Sequence, residues 1–182
     1  MYEKDGYLHI KQYLDDVDMI ASVGLGMRLH AEQYSDWKGI ACASKHSIIL
    51  DTFYRSDVMT SLAKKFLGND CYYFNDQMVY KLANEKSFVF EEHYDNQYGT
   101  NADNKIHTVN FCVILDDFEI SLDVKGSDGW VSLYPKKGDI IAIRGDTYHR
   151  SAANTSDKPR GLYACVYTEA PMNMDGFYNE KI

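Results

Sequence analysis

His93 and Asp95, in the stretch 91–95 (EEHYD), stand two residues apart, and in a strand residues two apart share a face. An imidazole and a carboxylate would then point to one place. His149, in the stretch 145–160 (GDTYHRSAANTSDKPR), would bring a second imidazole from far along the chain. Two histidines and one carboxylate that leave coordination positions open are the donor set of a non-heme Fe(II) centre. The residues downstream of His149 narrow the chemistry. Ser151 comes two residues on, Asn154 five, Ser156 seven and Arg160 eleven (160 − 149). A guanidinium is a planar fork that matches a carboxylate bidentately, so Arg160 is a candidate anchor for a ligand bearing one.

The two signals differ in weight. Six His and nineteen Asp in 182 residues give roughly 0.6 H-x-D pairs by composition alone, so that pair is weak by itself. The pattern H-x-S-x-x-N-x-S-x-x-x-R fixes five residue types at set offsets and is the stronger of the two. These residues carry a resemblance: the chain is similar to the phytanoyl-CoA dioxygenase (PhyH) family of Fe(II)/2-oxoglutarate oxygenases. That family shows an H-x-D pair, then a distal His with Ser at two, an N-x-S step and Arg at eleven. Weaker traces lie upstream in 5–14 (DGYLHIKQYL) and 75–81 (NDQMVYK), and the likeness spans roughly residues 5–168. One departure stands out: about twenty residues, 117–137, fill an interval where the family carries a longer insert.

The resemblance implies a set of roles. Fe(II) would be held by His93, Asp95 and His149, with 2-oxoglutarate as cosubstrate and O2 as oxidant. The products would be succinate, CO2 and an oxidised, usually hydroxylated, C–H carbon of a small-molecule or carrier-bound substrate. Arg160 would hold the distal carboxylate of 2-oxoglutarate, and Ser151 would add a hydroxyl donor. Lys81 or Gln77 lies where the family places a residue reaching cosubstrate or substrate, and Phe111 and Cys112 where it lines the cosubstrate pocket. Tyr98, Trp130 and Arg144 are candidate pocket walls. Asn154 and Ser156 read as turn residues whose side chains bond nearby backbone. His9, His30, His46 and His107 have no ligand spacing. Two bland alternatives remain: a non-catalytic cupin-like metal- or ligand-binding module, and a metal-free β-sandwich interaction protein.

Positioning these residues falls mainly to strands. From residue 71 onward the segments 71–82, 87–95, 106–115, 118–124, 130–134, 140–144 and 161–168 read as strands, parted by turn residues such as Gly126, Asp128, Gly129 and 136–139 (KKGD). Residues 7–10 suit an edge strand. Asp15 or Asp16 could cap a helix to about Gln33, with Val17, Ile20 and Met27 on one side. Residues 37–49 read as loop and strand. Ser56 is a good cap for a helix through Leu67, with Val58, Leu62 and Phe66 on one stripe and Gly68 as its stop. Many short strands led by two helices predict a mainly β jelly roll or barrel. The resemblance implies the double-stranded β-helix, a cupin-like fold, with the N-terminal helices packed on it.

A chain of 182 residues can bury a real core and predicts one domain over 1–182. Hydrophobic content of 45%, with fifteen Tyr, argues for a folded protein and against disorder. A net charge of −8 with only five Arg disfavours nucleic acid and anionic membrane surfaces as partners. The four widely spaced cysteines read as free and reduced. The first residues lack an apolar run and no stretch approaches 18 apolar residues, so the expected location is cytoplasmic. No feature of the sequence sets the oligomeric state or identifies the substrate.

Overall fold

The alternating segments pair into two antiparallel sheets in a computed structural model, which describes residues 2–31, 39–97, 105–172, 174 and 176–182. In chain order the strands are β1 (Tyr7–Ile10), β2 (Ile40–Ala41), β3 (Tyr72–Lys81), β4 (Phe90–His93), β5 (Thr108–Ile114), β6 (Leu122–Gly126), β7 (Gly129–Leu133), β8 (Ile140–Arg144), β9 (His149–Ser151), β10 (Arg160–Thr168) and β11 (Glu180–Lys181). The larger sheet runs β1-β8-β5-β10-β3-β11, with β2 also on β3, and the smaller runs β4-β9-β6-β7. From β3 to β10 the chain shuttles between the two. That path is a jelly roll, the double-stranded β-helix.

Register sorts the inner face of the large sheet into layers. Across β3 and β10 the pairs are Lys81 with Arg160, Val79 with Leu162, Gln77 with Ala164 and Asn75 with Val166. β5 extends them with Ile114 beside Leu162, Cys112 beside Ala164 and Asn110 beside Val166. Side chains directly opposite across a ladder stand on one face. A pair of cations therefore sits at one end, an apolar layer comes next, and carboxamides lie at the other end. Cys112, Ile114, Phe118, Leu122 and Val124 form the inner apolar cluster.

The outer face of the same sheet carries the main core beneath four helices, α1 (Tyr2–Asp5), α2 (Asp18–Ala31), α3 (Ile48–Tyr54) and α4 (Asp57–Leu67). Met78, Tyr80, Tyr163 and Tyr167 point there. Asp76 also faces this way, and its carboxylate accepts from Ser44 N (2.8 Å), Ser44 Oγ (2.5 Å) and Tyr163 OH (2.7 Å). At Gly24 α2 comes so close to β3 that a Cβ would sit 2.6 Å from Met78 Sδ. Close approach, not helix propensity, explains glycine there.

Several expectations need correction. Residues 48 and 49, the end of the 37–49 stretch expected as loop and strand, begin α3, which runs to Tyr54: Ser47 accepts from Leu50 N, and Leu50 and Tyr54, four apart, are buried. In α4 Ser56 caps and Gly68 ends the helix as expected, but the buried side is Met59, Leu62 and Ala63 while Val58 is exposed. The strand expected from 118 begins at Leu122, because Phe118 N bonds to Pro135 O in a turn. The short strands β9 and β11 have no signal of their own in the sequence. All four cysteines are free and buried. Among the described residues no helix is long and apolar enough to cross a membrane.

Candidate metal centre

His93 closes β4 and is the register partner of His149, which opens β9. Their rings lie 4.2 Å apart between centroids. Asp95 reaches the same spot by a different route from the one expected. It begins a 3-10 turn, Asp95–Gln97, after the strand has ended. That turn is held by Asn96 N bonding to Gly145 O (2.8 Å), and the Asn96 side chain accepts from Thr108 Oγ1 (2.7 Å). One ligand atom from each of His93, Asp95 and His149 falls within 4.8 Å of the others, and among the described residues no other such trio of His, Cys, Asp or Glu occurs.

The surroundings prepare these groups for a cation. Nδ1 of His93 lies 2.7 Å from Glu91 O, and Nδ1 of His149 lies 3.1 Å from Thr147 O. Carbonyl oxygens only accept, so each Nδ1 donates, and the tautomer this selects is the one that offers Nε2 as a ligand atom. Burial, reinforced by the neighbouring His149, pushes the His93 imidazole below its usual pKa and favours the neutral, ligating form. Asp95 Oδ2 accepts from Asn110 Nδ2 (3.0 Å), which fixes the carboxylate while Oδ1 lies 3.6 Å from His149 Nε2. Two imidazoles and one carboxylate oxygen fit a divalent metal of the Fe(II) type.

A second feature lies on the inner face of the large sheet. Lys81 and Arg160 are 1% and 4% exposed and face each other across β3 and β10. Lys81 Nζ donates to Ser151 O (2.9 Å), Ser151 Oγ (2.7 Å) and Ala152 O (2.6 Å). Arg160 donates to Ile120 O (2.7 Å), Ser151 Oγ (3.2 Å) and Ala152 O (2.8 Å). No carboxylate among the described residues forms an ion pair with either cation. Burial, and then the charge of Arg160, lower the Lys81 amine to about 7, and burial lowers Arg160 to about 10. Two uncompensated buried cations are costly unless an anion joins them. Ser151 Oγ accepts from both, so its own hydrogen is left to donate.

The lowered Lys81 has a measurable consequence. Below pH 7 folded and unfolded chains both hold this proton, and the fold bears the full cost of the buried charge. Above about 7 the folded state releases it first, until the unfolded amine titrates near 10.4, so stability rises with pH across that window. Urea unfolding of the ligand-free chain should show this rise, and Lys81→Met should flatten it by about 2 kcal/mol between pH 7 and 9. An identical slope in parent and variant would rule the assignment out.

Two cavities meet at the trio. A small one of about 60 Å³ touches His93, Asp95, His149 and Ser151, with Gln77 and Cys112 in its wall. A larger one of about 440 Å³ shares Gln77, His93 and Asp95 and extends to Phe74, Met172 and Phe177. Phe111 is a correction: it lies on the opposite face of β5 from Asn110 and Cys112, packed on Phe66 (5.3 Å) and Tyr167 (5.8 Å) in the outer core. Trp130 covers the Arg150 guanidinium at 4.4 Å and lines neither cavity. Arg144 bonds to Asp146 in a separate recess. Tyr98 lies outside the described residues. Asn154 is structural, donating to Leu82 O and Lys158 O. Asn110, which orients Asp95, is a functional residue that sequence reasoning missed; a lone carboxamide in an otherwise apolar strand was its only signal.

The family model of phytanoyl-CoA dioxygenase (PhyH) matches residues 122–162. Over that segment the chain is similar to the PhyH family. The matched segment runs from β6 into β10 and holds His149, Ser151 and Arg160. No curated protein matches the chain in sequence. Among solved structures, the non-heme alpha ketoglutarate dependent epimerase SnoN from nogalamycin biosynthesis superposes with a TM-score of 0.74 at 18% identity, over 93% of this chain and 80% of that one. The carbocyclase SnoK of the same biosynthesis gives 0.73 at 16%, over 93% and 82%. EctD from S. alaskensis, crystallised with Fe, gives 0.71 at 16%, over 91% and 73%. These likenesses show the jelly-roll fold that the chain shares with them.

Proposed function

We propose that this chain is an Fe(II)- and 2-oxoglutarate-dependent oxygenase that hydroxylates an unactivated C–H bond. One observation carries the proposal: the trio His93, Asp95 and His149, on the small sheet and the turn after β4, lines the interior that Lys81 and Arg160 face from the large sheet, and neither of these buried cations is ion-paired to a carboxylate among the described residues. A ligand that spans them needs a metal-binding end and a distal carboxylate. 2-Oxoglutarate has both. When bound, iron and 2-oxoglutarate together supply activation of O2, with succinate and CO2 released.

The chain's own residues do the positioning. His93, Asp95 and His149 would hold the ion, while Asn110 fixes the Asp95 carboxylate. Arg160 and Lys81 receive the distal carboxylate, and the Ser151 hydroxyl donates to it. The apolar layer of Val79, Ile114 and Leu162 covers the carbon chain and keeps water away. To test this, the full chain is loaded with Fe(II) and 2-oxoglutarate without oxygen, and succinate is measured by mass spectrometry once O2 is admitted. Succinate should appear in step with loss of 2-oxoglutarate. Binding of both iron and 2-oxoglutarate without any succinate would identify a non-catalytic cupin-like module.

A further inference from the structure

The larger cavity has the right size for a metabolite, and its wall has a definite character. Phe74 and Phe177 stack with centroids 5.2 Å apart and ring planes inclined by only 15°, and Met172 and Val166 continue this surface. It is a flat apolar wall. Opposite chemistry comes from the inner faces of β3 and β5, where Gln77 and Asn110 present carboxamides. The Gln77 side chain makes no hydrogen bond to any described residue and borders both cavities. It therefore offers one neutral donor group and one acceptor to whatever enters.

Charge decides the rest. The charged side chains in the wall, apart from His93, are Glu91, Glu92 and Asp95, with no Lys or Arg among the described lining residues. Glu91 and Glu92 lie in a stretch where the β4–β9 register breaks. The cations Lys81 and Arg160 stand behind the apolar layer, away from this cavity. Among the described lining residues, a phosphate or carboxylate entering here would meet the Glu91 and Glu92 carboxylates and no Lys or Arg, so like charge opposes its binding. Carriers based on coenzyme A or phosphopantetheine bring phosphates that call for Arg or Lys at the mouth.

We infer that the substrate is a free small molecule with a flat apolar face and no anionic group, held against Phe74 and Phe177 and hydrogen-bonded by Gln77. The inference rests on the oxygenase reading for the cavity's purpose, but its test does not use turnover. Three probes share one indole ring and differ in charge: tryptophol is neutral, tryptamine cationic and indole-3-acetate anionic. Binding to the full, metal-free chain is followed by calorimetry at pH 7.5. Tryptophol and tryptamine should bind, with indole-3-acetate at least about tenfold weaker, and Phe177→Leu should weaken tryptophol at least about fivefold with an unchanged melting temperature. Reversing the acidic pair, E91K with E92K, should recover about tenfold for the acid. The inference falls if the acid binds within about threefold of tryptophol, if no probe binds up to about 10 mM, or if the reversed pair leaves the acid unchanged. Succinate formation persisting alongside such a failure would leave the oxygenase proposal standing.

Discussion

Replacing His149 with alanine is expected to remove the metal and with it all turnover. His149 is one of the three proposed donors, its imidazole bonds to Thr147 O, and no other His, Cys, Asp or Glu joins the trio among the described residues. Loss of an outer partner of a ligand typically costs about 10- to 100-fold in metal affinity, and loss of the ligand itself should exceed that. The fold should survive, because β9 is held by its ladders to β4 and β6, which do not depend on the ring. Anaerobic titration with Fe(II), then metal analysis, reads the result directly. Iron stoichiometry equal to the parent's would overturn the assignment of His149.

Arg160→Ala carries the second large effect, on 2-oxoglutarate. Loss of a charge-assisted pair in a buried pocket costs about 2 to 5 kcal/mol, or roughly 30- to several-thousand-fold in affinity. Stability of the ligand-free chain should change far less. The guanidinium's bonds to Ile120 O and Ala152 O disappear, but so does the like charge facing Lys81. A ligand anchor that is nearly neutral for folding separates this role from a structural one. Calorimetric titration of 2-oxoglutarate into parent and variant measures it, and an affinity within about threefold of the parent would show that Arg160 is not the anchor.

The jelly roll is legible in the sequence because strand period and turn residues survive wherever sheets bury one face. The distal pattern is legible because its offsets lie within one local stretch. Asp95 shows the opposite case. The spacing of two suggests a shared strand face, whereas convergence depends on a turn whose anchor, Gly145, lies fifty residues away (145 − 95). Local spacing cannot contain that contact. Phe111 fails for a related reason: 108–114 (TVNFCVI) is buried throughout, so alternation is invisible and a one-residue slip exchanges the faces. The pair Lys81 and Arg160 becomes visible only through the β3–β10 register, since the two residues are nearly eighty apart in sequence (160 − 81).

Shuttling of the chain between the sheets also governs how the molecule can assemble. β1, made first, pairs with β8, residues 7–10 against 140–143, and β3 waits for both β10 and β11. Loop closure must precede the reward of such distant pairings, which slows folding. The β6–β7 hairpin, joined at Gly126 and Gly129, is a local exception and sits at the edge of the small sheet. During synthesis the amino-terminal strand and helices would therefore remain without their sheet partners until most of the chain has left the ribosome. Removing residues 160–182 would withdraw β10, the strand that joins β5 to β3 in the large sheet.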